Sequence, residues 1–171
     1  MTTYSPSLSQ YVTGLFATQD EALRTIYSET PKKGLPPISV KPEEGKFLQI
    51  LVYALGTQKA LEIGTLGGYS GTWIARGLAP GGKLITLEKN PVHAEVARSH
   101  FELSGVSDRI EIQVGDAHDS LRQLSSSAPF DFVFIDAEKD GYPDYFEWAS
   151  RHIRPGGVIA AHNAFRIGSV A

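Results

Sequence analysis

The chain has 171 residues, 42% hydrophobic and 20% charged, with a formal net charge of -3. We expect one soluble globular domain, long enough to bury a core. The weakly acidic balance gives no electrostatic footprint for nucleic acid or an anionic membrane, and the absence of cysteine excludes disulfides and thiolate metal sites. Because the N-terminus lacks a basic, apolar leader and no apolar run reaches membrane-spanning length, we expect a cytoplasmic protein.

The first 41 residues are predicted to form two amphipathic helices and a loop that precede the main fold. Apolar residues recur at helical spacing in two stretches, which are Leu8, Tyr11, Val12, Leu15 and Phe16, then Leu23, Ile26 and Tyr27. The segment 31–37 contains three prolines and a glycine, and it is predicted to be a loop. We predict a homodimer, because the apolar stripe of the first helix needs more cover than one sheet face supplies.

Residues 42–171 are predicted to form the core of the same domain. Pro42, followed by Glu43 and Glu44, is typical of a first helical turn. Five apolar runs then alternate with helical patterns, and the predicted strands end near Gly64 and cover 83–88, 109–114, 130–136 and 158–161. This alternation predicts an α/β fold with a doubly wound, mainly parallel, Rossmann-like sheet and helices on both faces.

A glycine-containing turn after the first strand and polar residues after the others indicate where a ligand binds. In such sheets ligands lie beyond the carboxyl ends of the strands, which here carry Glu62, Glu88, Asp116, Asp136 and the pair His162-Asn163. The glycines of the turn do not have the G-x-G-x-x-G spacing of dinucleotide sites. A carboxylate at Glu62 would repel a pyrophosphate and favour an ammonium or sulfonium group.

Two strand ends indicate a nucleoside. Glu88 ends the second strand, where a carboxylate can accept hydrogen bonds from both ribose hydroxyls. Asp116 and Ala117 follow the third strand, where an adenine ring would lie, although Asp116 is equally suited to cap the next helix. Together with a cation beside Glu62, these residues favour S-adenosylmethionine over NAD.

The sequence resembles the cation-dependent class I O-methyltransferases, the catechol and caffeoyl-coenzyme A group. The resemblance covers residues 40–163 and is carried by the runs EIGTLGGYS from Glu62, LEKNP from Leu87 and FIDAEKD from Phe134. It implies a methyl-donor site with Asp136 near both the donor and a metal, and the other members are Val40, Glu62, Gly64, Thr65, Ser70, Glu88 and Ala117. Asp116 is added to this site from its position after the third strand, not from the resemblance. It also implies a divalent cation (Mg²⁺, Mn²⁺ or Ca²⁺) held by Asp136 and an Asp-Asn pair after the fifth strand.

The sequence departs from that pattern in two places. Where the family has Asp-Asn, this chain has His162-Asn163, so a predicted metal site of Asp136, His162 and Asn163 favours manganese, iron or zinc over magnesium. The family pattern also continues past Ala171 through a helix and two antiparallel strands, so we expect the core to be short at its C-terminal end.

The predicted reaction is methyl transfer to a hydroxyl of a small aromatic acceptor, and we expect that acceptor to be a vicinal diol. A metal at Asp136 would lower the pKa of the attacking hydroxyl, and Lys139 would be the general base. His118 and His162 are alternative bases. Three other functions stay open at this point: methylation of a hydroxylated RNA nucleoside, a nucleoside-binding module that has lost catalysis, and a nicotinamide oxidoreductase.

Overall fold

The computed structural model describes residues 5–164, in which seven α-helices surround a five-stranded sheet. The helices are α1 (Pro6–Phe16), α2 (Glu21–Lys32), α3 (Pro42–Ala54), α4 (Tyr69–Gly77), α5 (Pro91–Leu103), α6 (Ala117–Leu124) and α7 (Tyr142–His152). The strands are β1 (Lys59–Ile63), β2 (Lys83–Glu88), β3 (Ile110–Val114), β4 (Phe130–Ile135) and β5 (Ile153–Ala161). All pairs are parallel in the order β3-β2-β1-β4-β5, which confirms the predicted fold class.

The core has two layers, one on each face of the sheet. Strand β4 is apolar at almost every position because parallel strands covered on both sides bury both sets of side chains. Phe132 and Phe134 pack into the layer formed with α2, α3, α4 and α5. Val133 and Ile135 pack into the layer formed with α6 and α7. The helices therefore cover both faces and leave the strand ends as the polar edge of the sheet.

Helix α2 extends further than the sequence analysis predicts. The segment 31–37 is expected to be a loop, but α2 includes Pro31 and ends at Lys32. A proline costs one backbone hydrogen bond in a helix, and in the last turn that loss is small. The turn is kept by the backbone N–H of Lys33, which donates to Glu29 O at 2.9 Å.

Strand β5 also begins earlier than predicted. The Pro155-Gly156-Gly157 segment is expected to precede the strand, but it lies inside β5 as an irregularity in the pairing with β4. Phe130 pairs with Ile153, and Phe132 pairs with Val158, so extra residues of β5 bulge from the ladder. A bulge tolerates proline and glycine because its residues are not needed as ladder donors.

The N-terminal helices pack outside the sheet, as predicted. Helix α1 is joined to α3 by the hydroxyl groups of Ser9 and Thr13, which donate to the Glu43 carboxylate. No residue of α1 is buried, and Tyr11 and Phe16 are each 65% exposed. Within residues 5–164 there is no helix of the length and apolarity needed to cross a membrane. The predicted shortness of the C-terminal end concerns residues that lie outside the described ones.

Candidate active site

Backbone hydrogen bonds of the sheet bring the five strand ends side by side. The N–H of Gly64 donates to Leu87 O at 3.0 Å, and the N–H of Gly115 donates to Glu88 O at 2.9 Å. On the other side of β1, the N–H of Asp136 donates to Ile63 O and that of His162 to Ile135 O, both at 2.9 Å. The polar residues predicted from separate parts of the sequence therefore lie along one edge.

The turn after β1 requires glycine at two positions. Gly64 has φ +103°, and a Cβ there would lie 2.1 Å from the carbonyl oxygen of Asp136. Gly68 has φ +78°, and a Cβ there would lie 2.7 Å from the Phe101 ring. Neither position has room for a side chain, because the backbone of the turn packs closely on the end of β4 and on α5. Helix α4 begins directly after the turn at Tyr69.

A cavity of about 470 Å³ lies over this edge, a size that suits a small-molecule ligand. All but three of the predicted site residues line it: Val40, Gly64, Thr65, Ser70, Glu88, Ala117, Asp136, Lys139, His162 and Asn163. The exceptions are Glu62, Asp116 and the alternative base His118. The structure therefore brings the predicted donor residues and the predicted metal and base residues together around one space.

Glu62 is buried behind the glycine turn and does not line the cavity, although the sequence predicts that it faces the ligand. Its carboxylate accepts hydrogen bonds from Ser70 Oγ at 2.6 Å and from Thr86 Oγ1 at 2.7 Å, and its side chain is fully buried. Burial, with a smaller effect from the charges of Asp136 and Glu88, raises the pKa of Glu62 to about 7. Its direct contribution is to hold Ser70, at the start of α4, against β2.

Glu88 lies on the wall of the cavity, at the end of β2. One carboxylate oxygen accepts from the backbone N–H of Leu66 and the other from that of Asn90, both at 2.8 Å, so the side chain is fixed at the cavity wall. His93, in the first turn of α5, places Nδ1 3.5 Å from the same carboxylate and also lines the cavity. His93 was missed by the sequence analysis because it lies beyond the strand end, although its position in the turn after Pro91 was available as a signal.

Asp116 caps helix α6, which is one of the two roles left open for it. Its carboxylate accepts from the backbone N–H of His118 at 2.9 Å, and this hydrogen bond lowers the pKa of Asp116. Its neighbour Ala117 lines the cavity. The adenine end of the predicted site is therefore bounded by Ala117 and Gly115 rather than by the Asp116 carboxylate.

Two carboxylates flank the imidazole of His162 at the opposite end of the cavity. Nδ1 lies 3.2 Å from Asp136 Oδ1, without the direction of a regular hydrogen bond, and Nε2 lies 3.3 Å from Glu44 Oε2. The carboxylate of Asp136, together with the smaller effect of Glu44, raises the pKa of His162 to about 9. Glu44 was interpreted from the sequence only as a first-turn helix acid, because nothing in the sequence indicates that α3 begins beside β5.

This arrangement does not fit the predicted metal site. A histidine coordinates a metal through the lone pair of a neutral imidazole, whereas both nitrogens of His162 face carboxylate oxygens. Lys139 Nζ also lies 3.7 Å from Asp136 Oδ1. The carboxylate of Asp136 therefore has two nitrogen neighbours, one from His162 and one from Lys139. Among residues 5–164, no group of three or more histidine and acidic side chains is arranged to hold a metal ion.

Lys139 is held at the cavity wall by Tyr142. Its Nζ donates to the Tyr142 hydroxyl and, at 3.0 Å, to the carbonyl oxygen of His162. The Tyr142 hydroxyl in turn donates to His162 O at 2.7 Å, and burial raises the pKa of Tyr142. Tyr142 was not predicted as a site residue, but its position three residues after Lys139, at the start of a helix, was a usable signal. His118, an alternative base, instead lies between Asp116 and Asp144.

The fold and the cavity together define a class of protein. A parallel α/β sheet with a tight glycine turn after β1 and a fixed acid at the end of β2 is the architecture of nucleoside-dependent enzymes. The acid at the wall fits an adenosine-containing methyl donor, because a carboxylate at the end of the second strand can accept hydrogen bonds from ribose hydroxyls.

Comparison with known proteins identifies the family. The chain is 43% identical over 166 residues to a catechol O-methyltransferase of Niastella koreensis, covering 96% of this chain and 75% of that protein. It is 42% identical to one of Mycobacterium tuberculosis, covering 96% of this chain and 74% of that protein. An O-methyltransferase from Bacillus cereus in complex with SAH superposes with a TM-score of 0.89 at 43% identity, covering 96% of this chain and 78% of that one.

A further solved structure has the methyl donor itself bound. The O-methyltransferase TomG of Streptomyces achromogenes, in complex with SAM, superposes with a TM-score of 0.91 at 40% identity, covering 96% of this chain and 74% of that one. The family model described as O-methyltransferase matches residues 14–171. The chain belongs to this family of S-adenosylmethionine-dependent O-methyltransferases, which confirms the resemblance found in the sequence.

Proposed function

We propose that the chain methylates a hydroxyl group of a small, catechol-like aromatic acceptor. The observation that carries this proposal is the identity of 43% and 42% to two proteins named catechol O-methyltransferase, over almost the whole chain. A polar cluster with one lysine, next to the predicted donor half of the same cavity, supports it. The acidic overall balance gives no support to an RNA substrate.

The methyl donor would occupy the half of the cavity between the glycine turn and Glu88. Gly64 and Thr65 would lie against it, Glu88 would accept hydrogen bonds from the ribose, and Ala117 would contact the adenine. When bound, S-adenosylmethionine supplies an electrophilic methyl group, whose bond to sulfur breaks with the electron pair staying on sulfur as the acceptor oxygen bonds to the carbon. Val40 and Ser70 complete the wall on the side of α3 and α4.

The acceptor would bind at the other half, beside Lys139. We assign Lys139, in its amine form, to take the proton from the acceptor hydroxyl, which gives the oxygen the negative charge it needs to attack. The resulting ammonium remains held by Tyr142 and by the carbonyl oxygen of His162. Asp136, 3.7 Å away, balances that ammonium. The divalent-cation dependence implied by the resemblance does not fit this donor set.

The test is a methyl-transfer assay with purified chain, S-adenosylmethionine and catechol, followed by mass spectrometry of the product. We expect a monomethylated catechol and a stoichiometric amount of S-adenosylhomocysteine. Phenol, with one hydroxyl, and a short RNA are the comparison acceptors. Binding of S-adenosylhomocysteine without methylation of any catechol would refute the acceptor assignment, and methylation of the RNA alone would favour the nucleoside alternative.

A further inference from the structure

The strongest unexplained feature of the cavity is the Glu44–His162–Asp136 cluster, in which an imidazole stands between two carboxylates. Three separate elements supply it: the first turn of α3, the end of β5 and the end of β4. Each member is also fixed independently. Glu44 accepts from the backbone N–H of Lys41 at 2.7 Å, and the backbone N–H of His162 donates to Ile135 O at 2.9 Å. The imidazole, with 18% of its side chain exposed, lies between the two carboxylates and is not a freely swinging surface side chain.

The carboxylates of the cluster have nitrogen partners without any added ion. Glu44 and Asp136 are the two carboxylates, and the ring nitrogens of His162 and the Nζ of Lys139 lie at ion-pair distances from them. With the aspartate of the family pattern at position 162, the same place would hold three carboxylates, whose mutual repulsion a divalent cation would relieve. The histidine removes one of those carboxylates and places a ring nitrogen against each of the other two.

We propose that the His162 ring, which places one nitrogen against Glu44 and the other against Asp136, replaces the divalent cation in this chain. The site then binds no divalent cation, and methyl transfer does not need one. This inference rests on the proposed function for its second half only, because cation binding can be measured without any acceptor. His162 is a positioning residue here: it neutralises Asp136 and Glu44 and keeps Lys139 in place through its carbonyl oxygen.

The first experiment measures cation binding directly. Free Mn²⁺ gives a strong electron paramagnetic resonance signal that decreases when the ion binds to protein. Wild-type chain at millimolar Mn²⁺ should leave the signal as in buffer, whereas His162→Asp should bind one Mn²⁺ per chain. Adding Asp136→Asn to His162→Asp should abolish that binding. His162→Gln is the matched control, because it removes the imidazole ring without supplying a carboxylate. This variant should bind no Mn²⁺.

The second experiment measures catechol methylation with and without EDTA. Wild-type activity should be the same in both, while His162→Asp should be inactive in EDTA and recover when Mn²⁺ or Mg²⁺ is added. His162→Gln should lose activity on the order of 10²-fold, as when a charge-stabilising group is removed, and no cation should restore it. Circular dichroism and binding of S-adenosylhomocysteine establish that each variant is folded.

Three results would overturn the proposal. The first is Mn²⁺ binding to wild-type chain that Asp136→Asn abolishes, and the second is wild-type activity that EDTA removes and Mn²⁺ restores. The third is the absence of Mn²⁺ binding in both wild type and folded His162→Asp, because residue 162 would then not decide whether a cation binds. If wild type methylates no acceptor with or without a cation, the proposed function fails, and the Mn²⁺ measurement still decides this inference.

Discussion

Replacing Glu62 by glutamine should make the protein more stable at alkaline pH and leave it nearly unchanged at acidic pH. The carboxyl is fully buried and receives hydrogen bonds from the hydroxyls of Ser70 and Thr86, and within residues 5–164 it forms no ion pair. Its pKa is raised to about 7 in the folded protein, from an ordinary value of 4.5. The folded state thus keeps a proton that the unfolded state has released between these two pH values.

The sign and size of the effect follow from that difference. Stability from the protonated carboxyl is fully present below pH 4.5 and is lost as the pH rises through about 7, and the total loss is about 3 kcal/mol. Glutamine has the same shape and no charge. Its carbonyl oxygen can accept from Ser70, and its amide can donate to Thr86 Oγ1, so the variant should escape the alkaline loss.

The assay is urea unfolding of both proteins from pH 5 to pH 9, followed by the fluorescence of the buried Trp73. The free energy of unfolding of the variant, minus that of wild type, should rise from about 1 kcal/mol at pH 5 to about 3 kcal/mol at pH 8. Glu111→Gln, at an exposed glutamate of β3, is the control and should show no such trend. A difference that stays constant across this range would refute the reasoning about the buried carboxyl.

Other predictions concern binding, catalysis and assembly. Glu88→Ala should weaken binding of S-adenosylhomocysteine by about 1.5 to 3 kcal/mol for each charge-assisted hydrogen bond to the ribose, with Glu88→Gln less affected. Unchanged affinity in calorimetry would remove the nucleoside assignment. Lys139→Met should lower kcat on the order of 10²-fold or more at unchanged donor affinity. A variant with the wild-type kcat would exclude Lys139 as the base. The exposed side chains of Tyr11 and Phe16 should lie in a homodimer contact, so that replacing both by serine gives monomers in analytical ultracentrifugation. A wild-type protein that is monomeric at micromolar concentration would contradict this.

The sequence by itself determines the sheet and most of the cavity wall. The alternation of apolar runs with helical patterns is sufficient to predict a parallel α/β fold, because each run is too short for a helix and each crossover is long enough for one. In such a sheet the strand ends share one edge, so Glu88, Asp136 and His162 could be predicted to lie along the same edge and line one cavity. The motif following Glu62 adds the family and the methyl donor.

Only the tertiary structure decides where the side chains of those residues point. Glu62 has the sequence context of a ligand-facing acid, but its carboxylate lies behind the turn. The absence of a side chain at Gly71 leaves room for the carboxylate there, and the Thr86 hydroxyl donates a hydrogen bond to it. Asp116 follows β3, and the nearest unpaired N–H groups are those of its own helix, so it becomes a cap.

The character of position 162 was likewise decided in three dimensions. From the sequence, the histidine is a substituted metal ligand, because only its neighbours along the chain are visible. Glu44 is far away in the chain, and it approaches His162 because α3 packs on α4 with its first turn at the strand ends. Whether an imidazole has a lone pair to offer or carries a proton depends on the groups that face its two nitrogens, and those groups are contributed by β4 and α3.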